Sequence, residues 1–297
     1  MTSGAAWLVK QASGGLLAFE PADFLEPAGE PGIVSPESVS WRVFGNPVSM
    51  AVGGVAAVLL ELGEPRVRAG VWDHSSFRTD PAERIGRTAR GAMLTVFAAR
   101  SRFAAYAARV NAIHAAIAGQ ADDGRAYRAN QPDLLRWVQG TAAFGFVEAY
   151  HRLLRPLTDG ERDRYYTEGA VGARCYGVTQ PPESAAAMRA LVAATLPQLT
   201  PSPVLNEFLA IMRGAPILPG PARRLQPALV RAALGILPGE ALAAMALDGE
   251  ARWTAREQRW WRRLAGLVER VPRPGDPRRL ARRRLSRPAG AAGQPRS

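Results

Sequence analysis

The apolar positions of this chain fall in runs of helical length, and the runs are punctuated by prolines that follow good capping side chains. Ser35-Pro36, Asn46-Pro47, Asp80-Pro81 and Ser202-Pro203 each set an N-cap residue before a proline at the first helical position, where the missing N–H costs nothing. Glu83 follows Asp80 at capping-box spacing, and Thr158/Glu161 and Thr254/Glu257 repeat that spacing. The most apolar run, PVSMAVGGVAAVLLELG from Pro47 to Gly63, carries a glycine pair and a glutamate. It falls short of the ~20 residues a bilayer-spanning helix needs, so it predicts a buried core helix. Period-two alternation bounded by hairpin turns is nearly absent, and the expected fold is all-α, a single globular helical domain.

A second periodic stretch, Asp80 to Gly119, raises a geometric question. As one straight helix it separates Thr88 from His114 by roughly 39 Å, at ~1.5 Å per residue. The polar interruption Arg100-Ser101-Arg102 permits a turn, with Ser101 capping a new helix that carries Val110, His114 and Ile117 on one face and stops at Gly119. An imidazole on such an Ala-rich apolar face has two readings: a core histidine satisfied by one hydrogen bond, or a ligand. His151, with Phe144, Val147 and Leu154 at helical spacing, reads as a half-buried packing residue, and Trp137 reads as core.

Composition narrows the field. The 297 residues are 47% hydrophobic, enough for a substantial core. Residues 1–34 read as a loosely ordered lead, 35–271 as the domain, and 272–297 as a disordered Arg/Pro-rich tail, because RRLARRRLSRPAGAAGQPRS has no apolar period. The formal charge is +12, yet Lys10 is the only lysine and much of the arginine excess is in that tail, so no specific nucleic-acid partner is expected. A single cysteine, Cys175, excludes an intrachain disulfide framework and reads as a buried structural thiol. No basic leader with a small-residue cleavage site opens the chain, so a cytoplasmic location without a transmembrane span is expected. The oligomeric state is not written in these patterns.

Four motifs, VWDHSSFRTDPAERIGRT, ARVNAIHAAIAG, YRANQPDLLRWV and LTDGERDRYY, occur in an order and spacing that resembles one oxygenase family. It includes the rubber oxygenases (latex-clearing proteins) and the fungal endoplasmic-reticulum oxygenase of mycophenolic acid biosynthesis. The resemblance runs from Trp41 to Ala194. It implies an all-α fold with haem b between helices, its iron held by one helical histidine, here His114 of the Val-x-x-Ile-His pattern. A neutral imidazole is a good axial ligand, and an alanine-rich face lets a flat macrocycle approach.

The resemblance also assigns Arg84, Arg87 and Thr88, which stand where rubber oxygenases carry Arg, Lys and Thr. Their helical spacing puts them on one face, able to bind haem propionates or donate toward iron-bound oxygen; a solvated basic face is the alternative. His74 matches a His-Ser-x-Phe element and reads as a distal group or as a loop histidine bonded to nearby backbone. Glu64-Pro65 stands where the family usually has His-Pro, Gln139 replaces a frequent histidine, and no position matches the carboxylate base of rubber oxygenases. The implied activity is haem-dependent oxidation or cleavage of a C=C bond in an apolar, isoprenoid-like small molecule by dioxygen. The alternatives are a haem-binding or haem-sensing protein without turnover, and a haem-free helical interaction module.

Overall fold

Five helices begin at the capping side chains the sequence names, Asn46, Asp80, Thr158, Ser202 and Thr254. The computed structural model describes residues 19–218, 220–250 and 253–288. In chain order its helices are α1 (Ala22–Leu25), α2 (Val39–Val43), α3 (Pro47–Leu62), α4 (Pro65–Asp73), α5 (Pro81–Phe97) and α6 (Arg100–Ala116). A two-stranded ribbon, β1 (Ala118–Gln120) antiparallel to β2 (Ala126–Arg128), leads to α7 (Pro132–Leu153), α8 (Asp159–Cys175) and α9 (Ala185–Thr195). Then come α10 (Pro203–Gly214), α11 (Gln226–Ile236), α12 (Gly239–Ala244), α13 (Ala255–Arg270) and α14 (Pro277–Leu285). Asn46 Oδ1 accepts from Val48 and Ser49 N–H, each at 3.1 Å. Asp80 accepts from Glu83 N–H at 3.0 Å and Ser202 from Val204 N–H at 3.2 Å. The Thr158/Glu161 and Thr254/Glu257 boxes close, while at Asp80 only the bond from the Glu83 N–H forms. Ser35 is the exception: it sits in a turn, and Ser38 caps α2 by accepting from Trp41 N–H at 3.1 Å.

The core is built on α3 against α7, with α10, α11 and α13 packed around the pair. The apolar run that predicts a buried helix is α3, whose Val52, Leu59, Leu60 and Leu62 are fully enclosed; α7 contributes Trp137, Val147 and Leu153. Gly53 and Gly145 let the two backbones touch, since a Cβ on Gly53 would stand 2.6 Å from the Gly145 carbonyl oxygen. Backbone cannot move aside as a side-chain tip can. Gly145→Ala is therefore expected to destabilise by about 1–3 kcal/mol, despite the ~1 kcal/mol that alanine gains in a helix, and a urea titration checks it. No single helix among the described residues is long and apolar enough to cross a membrane; α3 and α4 pass only jointly and meet at a 112° bend.

Four sequence expectations give way in the folded chain. From residue 19 the N-terminal lead is packed: Phe24 is fully buried, and Asp23 pairs with Arg90 at 2.7 Å. Glu30 accepts from Ser101 N–H at 2.6 Å and Ser101 Oγ–H at 2.7 Å. Residues 1–18 lie outside the described part. The segment read as a disordered tail contains α14, whose Arg284 is wholly buried, and only 289–297 lie outside the described residues. The turn is present but earlier than expected, at Ala98 and Ala99; Ser101 is held by Glu30 instead of capping α6, and the helix ends at Ala116, where the ribbon takes over. Cys175 is exposed, not buried, because it ends α8 on the outward side while the next residue, Tyr176, turns inward against Phe103.

Candidate functional site

The α5–α6 turn folds His114 back toward Arg84. On α6 the inward positions are Phe103, Ala107, Val110 and His114, at helical spacing, while Ile113 is 54% exposed. The Nδ1 atom of His114 is buried and has no hydrogen-bond partner. Burial first, and the Arg84 charge second, hold the imidazole below its ordinary titration range, so it is neutral at neutral pH. Burial likewise lowers the Arg84 pKa, partly offset by Glu61. Its Nη1 donates to Thr88 Oγ1, which lies on the exposed edge of α5, and Thr88 Oγ–H returns a bond to the Arg84 carbonyl at 3.1 Å.

Glu61 is the group that sequence reasoning did not assign. It sits near the end of α3, enclosed by the fold but keeping some accessible surface, and Thr141 Oγ–H of α7 donates to its carboxyl at 3.2 Å. Burial pushes its pKa up to about 7, against the opposing pull of Thr141 and Arg84. The only signal in the chain was a glutamate inside an otherwise apolar run. Tyr106 of α6 adds a phenol whose pKa is raised by burial and which packs against Gly91 of α5. One helical turn from these polar groups, Val58, Ile85, Val110 and Val138 are half-buried and apolar. Side chains from four helices are thus linked, Glu61 of α3 to Thr141 of α7 by a hydrogen bond, and Arg84 of α5 to Glu61 and to His114 of α6 by charge.

The remaining sequence candidates lie outside that cluster. Arg87 is exposed, pairing with Glu83 at 3.0 Å and donating to Ser76 Oγ at 3.2 Å, so it fixes the His-Ser-x-Phe loop against α5. His74 is exposed at the end of α4, with its ring edge-on to Tyr127 at 6.5 Å. His151 Nδ1 accepts from Leu157 N–H at 3.0 Å, a packing role as expected, and Trp137 is core. Glu64, in place of the family's usual histidine, caps α4: it accepts from Val67 N–H at 2.9 Å and pairs with Arg66 at 2.8 Å and Arg125 at 3.3 Å.

The raised pKa of Glu61 has a testable consequence. A carboxyl whose folded pKa lies above its unfolded value contributes stability that is complete below about 4.5 and is lost as pH rises through about 7. Glu61→Gln keeps the Thr141 bond and removes the ionisation. It is expected to match the parent near pH 5 and to exceed it at pH 8 by about 3 kcal/mol, read from denaturant unfolding at the two pH values.

Comparison with known proteins places the chain among the oxygenases. The sequence profile described as ER-bound oxygenase mpaB/B'/Rubber oxygenase, catalytic domain, matches residues 41–270, and the chain belongs to this family. No curated protein and no solved structure matches it.

Proposed function

We propose that the chain is a haem b-dependent oxygenase that oxidises or cleaves a C=C bond of an apolar, isoprenoid-like small molecule with dioxygen. The observation that carries this reading is the buried, unpartnered Nδ1 of a neutral His114 facing Arg84 across the α5–α6 hairpin. An imidazole kept neutral and given no protein partner fits a metal ligand better than a packing residue, which would be satisfied. Among the described residues no three His, Cys, Asp or Glu side chains converge. A bare ion therefore lacks a ligand set there, whereas a macrocycle that brings its own nitrogens needs only one axial histidine.

When bound, the haem supplies the dioxygen-activating redox chemistry, and the protein supplies ligation, orientation and a dry pocket. In this reading His114 holds the iron. Arg84, with Thr88 bonded to it, presents guanidinium N–H groups to developing negative charge or to a propionate. Glu61, near half-protonation at neutral pH, can accept or deliver one proton at its carboxyl oxygen, with Thr141 fixing its orientation. Val58, Ile85, Val110 and Val138, half-buried and packed against the core, would offer an apolar substrate a matching wall. Arg87 and His74 stay outside this cluster, with Arg87 holding the loop that follows His74.

Expression with added haem is expected to give a purified protein with a Soret band, and the ferrous protein is expected to consume oxygen when an isoprenoid is added. Absence of the band would sink the haem reading. A band without oxygen uptake on any unsaturated isoprenoid tested would leave a haem-binding protein without turnover.

A further inference from the structure

The exposed edge of α13 carries a pattern that the oxygenase site does not use. Arg256, Trp260, Arg263, Leu267 and Arg270 recur at alternating four- and three-residue spacing, and all five are exposed, Trp260 at 43% and Leu267 at 53%. That spacing makes one stripe along the helix. The opposite side is anchored by the buried Trp261 and Ala265. The carboxylates of α13 are already engaged. Glu257 closes the helix cap and pairs with Arg231 at 3.1 Å, and Glu269 pairs with Arg278 at 3.2 Å. The stripe is left with cations and apolar side chains alone.

Beyond Arg270 the stripe runs into a crevice of about 320 Å³, lined in part by Arg42, Arg155, Arg270, Arg278, Tyr150 and Glu269. Arg42 pairs with Glu161 at 2.7 Å and Arg278 with Glu269, but among the described residues Arg155 and Arg270 have no carboxylate partner. Four guanidiniums there meet two carboxylates, so the crevice suits an anion.

We propose that this face docks on an anionic lipid bilayer, with Trp260 and Leu267 entering the headgroup boundary and the arginine crevice taking a lipid phosphate. Indole is favoured at the boundary between headgroups and chains, and arginines beside it are drawn to the negative leaflet. The interleaving of cations with a tryptophan and a leucine is what selects lipid over nucleic acid. A polynucleotide rewards the arginines but leaves Leu267 in water, whereas a bilayer satisfies both.

Co-sedimentation of the full chain with vesicles tests this. The chain is expected to pellet with phosphatidylcholine vesicles containing phosphatidylglycerol, not with phosphatidylcholine alone, and to be released by high salt. Arg155→Gln/Arg263→Gln/Arg270→Gln should lower the partition coefficient roughly a hundredfold, and Trp260→Ala/Leu267→Ala roughly tenfold or more. The three arginines are exposed, so their variant should keep the parent melting temperature; Trp260 also packs edge-on to Trp261 at 4.9 Å, so the Trp260→Ala/Leu267→Ala variant is compared at a temperature where circular dichroism shows it fully folded. Undiminished pelleting of the arginine variant would overturn the proposal, as would binding of a duplex oligonucleotide without any binding to vesicles. Neither result bears on the oxygenase reading, because the assay reads no oxygen chemistry.

Discussion

His114→Ala is expected to lose most of its bound haem, while His151→Ala keeps the parent spectrum. The physical difference is in the ring nitrogens. His151 already spends Nδ1 on the Leu157 N–H at 3.0 Å, whereas His114 has a buried Nδ1 with no partner. No other histidine can substitute, because His74 is exposed at the end of α4. A histidine that merely packs would cost about 1–3 kcal/mol on truncation and leave any cofactor signal in place. Absorbance at the Soret band separates the outcomes, and imidazole added to His114→Ala should restore part of the band by filling the space the side chain leaves. Acid should release the haem as well. Only neutral imidazole ligates, and burial with the Arg84 charge depresses its protonation, so retention should extend below the ordinary histidine range near 6.5 before failing. Wild-type absorption in both variants would remove His114 as the ligand.

Removal of Arg284, or of the chain from Pro272 onward, is expected to destabilise the fold by about 3–5 kcal/mol, on the order of a 10 °C fall in melting temperature. Arg284 is 0% exposed and donates to three carbonyls far away in sequence: Glu30 at 2.9 Å, and Phe24 and Phe97 at 2.8 Å each. Substitution by alanine leaves those oxygens without this donor and opens a void the size of a guanidinium stem. Phe97 is the last residue of α5, and Arg100 N–H bonds to the Pro31 carbonyl at 2.9 Å. The α5–α6 turn is thus bolted from one side by the N-terminal lead and from the other by α14. The same variant should weaken haem retention, since that turn brings Arg84 and His114 to one place. A thermal melt of Arg284→Ala with an unchanged midpoint would contradict this account.

Much of the secondary structure was legible because its causes are local. An Asn46 or Asp80 side chain caps N–H groups within three residues of itself, and a proline at the first helical position needs no distant partner. The apolar run of α3 declares its burial by composition, and the helix that carries His114 declares its inward face by spacing. Those signals gave an all-α fold and the pairing of Arg84 and Thr88 on one helix.

What tertiary structure alone decided involves partners far apart in the chain. Ser101 looks like a cap to its neighbours, yet Glu30 takes both of its donors, so the turn falls at Ala98 and Ala99 instead. An arginine-rich segment without apolar period reads as solvated, because nothing nearby shows that Arg284 will find three carbonyls presented by other segments. Glu61 became a proton-holding group only when the surrounding helices removed its water, against the pull of Thr141 and Arg84 toward the ionised form. Arg87, which shares a helix with Arg84, was drawn outward by Glu83 and Ser76. Helix positions were set by bonds a few residues long; the membership of the site was set by packing, which no local pattern encodes.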